Sequence, residues 1–100
     1  MKENIVDITD GITRVKQLQP RRFNFIADAD TTVDGFIAHE AQTVVPSAVT
    51  GTHNEVDENG DPVYQGIDKS KLVPLLTAAL QEAIAKIETL ETKVAALEAG

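Results

Sequence analysis

From Leu76 onward, apolar residues fall at Leu76, Leu80, Ala83, Ile87, Leu90, Val94 and Leu97, at intervals alternating between four and three. That 3.5-residue period is a heptad seam, in which a stripe along one helix meets the stripe of a neighbour. The helix it predicts runs from about Lys71 to the end of the chain, roughly 43 Å at 1.5 Å per residue. A compact domain of this size has a radius of gyration of about 13 Å, so part of the helix is expected to project past its own domain, its stripe in need of partners. With Leu80, Ile87 and Val94 at a positions, Lys86 and Lys93 occupy g, ahead of Glu91 and Glu98 at e. Parallel neighbours bring those opposite charges together, each exposed pair contributing little. β-Branched a residues with leucine at d favour two strands, while Ile84 at e widens the stripe toward three, so the seam alone leaves dimer or trimer open. The alternative is one amphipathic helix lying on its own domain, since three heptads are a short run.

Upstream the patterns are shorter. KENIVDI carries Ile5, Val6 and Ile8 without clean alternation and reads as a short strand or an extended lead-in. Ile12, Val15 and Leu18 recur every third residue after Asp10-Gly11 and before Pro20, which predicts a short amphipathic helix over ITRVKQLQ. Phe23 and Phe25 alternate with Arg22 and Asn24 as in a half-buried strand. The polar run Asp28 to Asp34 reads as a loop, and GFIAHEAQTVVPSAV as a strand, a short helix and a break at Pro46. Asn59-Gly60 between Val56 and Val63-Tyr64 predicts a β-hairpin, because both turn positions of the tightest hairpin need positive φ. Asp68 or Ser70 is placed to cap the final helix, with Pro74 tolerated near its start. There are no internal repeats and no low-complexity linker.

Composition narrows the function classes. One hundred residues, 42% hydrophobic and 25% charged, allow one domain with a modest core. A formal charge of -7 and a pI near 4.6 argue against nucleic acid as a partner, which would require clustered Lys and Arg. Arg21-Arg22 is the one basic pair. The absence of cysteine removes a disulfide framework, a thiolate nucleophile and the usual structural zinc site. No apolar run approaches membrane-spanning length, and MKENIVD lacks the apolar core of a signal peptide. A soluble cytoplasmic product is the expectation.

Candidate chemistry inside the chain is sparse. His39-Glu40 is not in the HExxH frame, since position 43 is Thr, so a structural histidine is the reading. Asp57, Asn59 and Asp61 alternate as calcium ligands do, but Gly60 and the missing later Glu break the EF-hand pattern and a turn explains them. His53, Ser47 and Ser70 have no partner at a recognised catalytic spacing. No metal and no cofactor is expected.

Three blocks, taken together in order and spacing, carry a resemblance. KENI at Lys2 to Ile5, GFIAHEAQTVVPSAV at Gly35 to Val49, and VYQGIDKSKLVPLL running into QEAIAKIETLE resemble the C-terminal intramolecular chaperone of phage tailspikes and tail fibres, the S74 peptidase family. The likeness spans nearly the whole chain; the family usually shows Ala-Gln-Glu where this chain has Ala38-His39-Glu40. It implies a domain that trimerises, helps a β-rich fibre ahead of it to fold, and releases itself through a serine-lysine dyad. The implied fold is α+β: a compact part over residues 1–70 with short helices, strands and a β-hairpin, then a helix over 71–100 that forms a parallel trimeric coiled coil.

The family motif Ser-Asp-x-Arg-Leu-Lys-Glu-Asn-Ile aligns its end with Lys2-Glu3-Asn4-Ile5, with Met1 at the leucine position. The resemblance thus makes Lys2 the lysine of the dyad. Its serine would fall ahead of Met1, so this chain is expected to be inactive by itself, and to represent a trimmed segment or an internal start rather than a natural cleavage product. A desolvated lysine suits the role because its amine can take the serine's proton; the bland alternative is an exposed terminal lysine. The partners implied are two further copies of the chain and the upstream fibre of the same polypeptide, in the cytoplasm of the infected bacterium, with the domain absent from the finished particle. Two other functions compete: a serine autoprotease active in this segment alone, and a permanent coiled-coil tip that is never released.

Overall fold

The computed structural model describes residues 1–100. The chain is elongated, with extents of 72 × 42 × 19 Å and a radius of gyration of 19.4 Å, well above the value of about 13 Å for a compact chain of this length. The elongation comes from the final helix. In chain order the elements are α1 (Gly11–Val15), β1 (Arg21–Phe25), β2 (Asp28–Gly35), α2 (Ala38–Gln42), β3 (Val49–Thr50), β4 (Gly66–Ile67) and α3 (Val73–Ala99), with 3-10 turns at Pro46–Ala48 and Lys69–Leu72. The architecture is mixed α+β, as the sequence predicts.

The core is small. Ala41, Val44, Val45, Ala48 and Val49 from the α2–β3 region pack on Leu72 and Leu75, with Val15, Leu18, Phe36, Ala38 and Ile67 partly buried around them. Only nine of the 100 residues are buried, so the hydrophobic contribution available to one copy is modest. Arg14 Nη2 donates to the Val44 carbonyl at 2.9 Å, and the Asp68 N–H donates to the Ala48 carbonyl at 2.7 Å. These bonds tie α1 and the approach to α3 onto the same cluster.

Several elements differ from the sequence reading. The lead-in through Thr9 has no strand or helix. Helix α1 stops at Val15 and continues as a tight turn, Leu18 N–H donating to the Val15 carbonyl, while Pro20 holds Gln19 out of the helical region just before β1. The run Asp28 to Asp34, expected as a loop, instead forms strand β2 with Gly35, antiparallel to β1. Its β-branched Thr31, Thr32 and Val33 suit a pleated chain. Val33 stands opposite Phe23, and Asp34 opposite Arg22 with a 2.7 Å ion pair. β2 is largely exposed on both faces, so it lacks the apolar alternation that announces β1.

The hairpin expected at Asn59-Gly60 shrinks to one bridge between Val56 and Pro62. Only Gly60 takes a positive φ there, +81°, so the turn is not of the doubly positive type. Asp57 organises it instead: its Oδ1 accepts from the N–H groups of Asn59 at 2.8 Å and Asp61 at 3.0 Å. Pro62 has no N–H to extend a ladder. Asp68 caps the 3-10 turn that opens α3, accepting from the Ser70 N–H at 3.1 Å.

Candidate assembly surface

Helix α3 carries two apolar faces. Leu75 and Ala79 on α3, with Leu72 just before it, are buried against the domain, and Glu82 continues that face. The seam residues lie roughly 100° around the helix from it, at 3.6 residues per turn. They are uncovered: Leu76 is 44% exposed, Leu80 62%, Leu90 59% and Leu97 81%, against 2% for Leu75. Ile87 and Val94 are likewise exposed and Ala83 is half-buried. From Ile84 to the end every residue is exposed. The expectation that the helix projects past its domain therefore holds, and a helix lying along its own domain is excluded beyond Ala83.

The domain's grip on α3 is concentrated at α1. A Cβ built on Gly11 would stand 2.7 Å from the Ala79 amide nitrogen and 2.9 Å from its Cα, so the two backbones meet at a distance only glycine permits. The Glu82 carboxylate accepts from the N–H of Gly11 at 3.0 Å and of Ile12 at 2.8 Å, satisfying two of the donors that a helix N-terminus leaves free. The sequence marked Asp10-Gly11 as a helix start but gave no sign of either relationship; Glu82 lies 71 residues beyond Gly11.

The remaining candidates lie apart from one another. Lys2 is exposed and enters no hydrogen bond or ion pair. His39 stacks on His53, ring centroids 3.8 Å apart and planes 12° from parallel, and Gln65 donates to Gln42 Oε1 at 2.9 Å; together these seat the loop after β3 on α2. Arg21 holds Glu40 at 2.9 Å. That hydrogen bond, ahead of the charge attraction, keeps the Glu40 carboxyl below its ordinary value. Asp68 is lowered likewise by its hydrogen bond from Ser70. A groove of about 450 Å³ between the β1–β2 arm and the core is lined by Phe23, Phe25, Phe36 and Ile67 among others, with Asp34 and Lys69 also on its wall; Asp34 is paired with Arg22, not with Lys69. No group of three or more His, Cys, Asp or Glu side chains converges to hold a metal, and no helix is long and apolar enough to cross a membrane.

Fold and surface together define a small α+β domain whose most prominent surface feature is an uncovered helical stripe. The chain belongs to the Peptidase S74 family, described as chaperone of endosialidase, which matches residues 1–50. That membership supports an intramolecular chaperone role. Among curated proteins, none matches the chain. The matched region covers the lead-in, α1, the arm, α2 and β3, and stops before α3.

Proposed function

We propose that the domain is a trimerising intramolecular chaperone for an upstream phage tail fibre or tailspike, acting in the cytoplasm of the infected bacterium and released by self-cleavage. The observation that carries the assembly half is the seam from Leu76 to Leu97, left uncovered by a domain that buries only nine residues. Such a chain gains most of its missing burial from copies of itself. Charges on the flanks favour parallel neighbours: Lys86 meets Glu91 and Lys93 meets Glu98 of the next helix, whereas antiparallel helices bring like charges together. Three strands fit better than two because Ile84, also exposed, extends the stripe on one flank. Parallel chains that meet early through a helix bring the attached strands together before their long-range β contacts form, a search that is otherwise slow and prone to aggregation.

For release, the resemblance carried by Lys2-Glu3-Asn4-Ile5 makes Lys2 the base. The hydroxyl of a serine ahead of Met1 adds to a main-chain carbonyl, and the neutral Lys2 amine takes its proton and returns it to the departing amide nitrogen. Water then hydrolyses the ester. Lys2 must lose its solvent exposure to act in this way. Light scattering of the unmodified chain over a concentration series tests the assembly. A trimer mass supports it, a monomer mass at high concentration overturns it, and a dimer mass shows that the β-branched a positions set the number.

A further inference from the structure

Residues Met1–Thr9 belong to no helix or strand, and none of their groups makes a hydrogen bond. The first main-chain donors held are those of Gly11 and Ile12, both on the carboxylate of Glu82. Glu82 immediately precedes the seam residue Ala83, yet it points along the face that meets α1, roughly 100° from the seam. One turn of α3 can therefore hold its own α1 and a neighbouring helix at once.

We propose that Glu82 is a positioning residue: it fixes where each chain arriving from upstream joins the helical bundle. This rests on the trimer reading above. In a parallel, in-register bundle the three Glu82 carboxylates lie at one height, so they hold three copies of Gly11 at one height too. Alignment achieved by the helices is thereby passed to residue 10, the last point before an unbonded lead-in that spans at most about 33 Å when extended. Close contact between Gly11 and Ala79 supplies the fit, and Glu82 supplies the direction, because two N–H groups on two oxygens fix the angle at which α1 departs.

The chain has no cysteine, so Thr9→Cys gives one spin-label site per copy, and distances between labels in the assembled chain report the spacing of the entry points. With Glu82 present, one narrow distance distribution is expected. In Glu82→Ala its width should at least double while the mass and helix content stay unchanged, alanine being the strongest helix former. Glu82→Gln keeps an oxygen acceptor and should fall between. An unchanged width in Glu82→Ala, or a broad distribution already present with Glu82, overturns the role of Glu82 and leaves the trimer standing. A monomer mass overturns the trimer, and this role with it, whatever the labels show.

Discussion

Gly11 and Ala79 are in backbone contact, close enough that a methyl group at position 11 would stand 2.7 Å from the Ala79 amide nitrogen. Because the obstacle is main chain on a long helix, it cannot rotate away. Gly11→Ala is therefore expected to push α1 off α3 and to destabilise the domain by about 1–3 kcal/mol, the usual range for overpacking, despite the small helix-propensity gain of alanine. Chemical denaturation of the two proteins at equal concentration measures the difference.

The two faces of α3 predict two kinds of mutational effect. Leu75→Ala opens the domain's own core and should cost about 2–5 kcal/mol at every protein concentration. Leu90→Ala, at an exposed seam position, should leave a single copy's stability nearly unchanged and instead weaken the concentration dependence of the melting temperature. Thermal melts over a hundredfold concentration range distinguish them; identical behaviour of the two variants would contradict separate faces.

A stronger disruption is expected from Ile87→Asp combined with Leu90→Asp. In a closed seam each carboxylate would have to stay hydrated or bear several kcal/mol of desolvation, so the assembly should fall to monomer. Sedimentation or light scattering at high concentration reads the outcome.

Cleavage has its own test. A version of the chain carrying Ser-Asp-x-Arg-Leu directly ahead of Lys2 should cut near that serine, and the same version with Lys2→Ala should not. Fragment masses over time report both rates. Undiminished cutting after Lys2→Ala would remove Lys2 from the mechanism.

Glu40 and Asp68 both have carboxyl groups held below their ordinary values, by hydrogen bonds from Arg21 and Ser70 respectively. A depressed folded-state value contributes stability that is fully present above the unfolded value, about 4, and is lost as pH falls through the folded value. Stability should therefore decline on acidification below about pH 4. Glu40→Gln, lacking the titrating partner of Arg21, should show a shallower decline. Melting temperatures between pH 6 and pH 3 for both proteins give the comparison.

What the sequence made legible was what regular periods and local chemistry encode. The apolar stripe of α3, the start of α1 at Gly11, strand β1 at Arg21–Phe25 and the short helix α2 before Pro46 all follow from spacing or from a side chain meeting its own neighbours; Asp68 does cap, but on the 3-10 turn, while α3 itself follows Leu72 with no side-chain cap. Strand β2 did not, because an arm exposed on both faces needs no apolar alternation and Asp34 finds its partner Arg22 only after the strands pair. The turn at Asn59-Gly60 was read for its dipeptide, while Asp57 and Pro62 decide its form. The grip of Glu82 on Gly11 joins positions 71 apart, and no local pattern reports a contact made across the fold.

The Asp57 turn has a practical corollary. Its ends are closed by the Asp57 N–H donating to the Asp61 carbonyl at 2.9 Å and the Val63 N–H to the Glu55 carbonyl at 2.9 Å, while residues 57–61 are exposed and a Cβ at Gly60 meets nothing within 4 Å. Extra residues between Asn59 and Asp61 would lengthen a loop whose closure cost grows only slowly with length, without touching α1, the core or the seam. An affinity peptide or a fluorophore-binding tag placed there would mark the domain and leave the helix and the lead-in unencumbered.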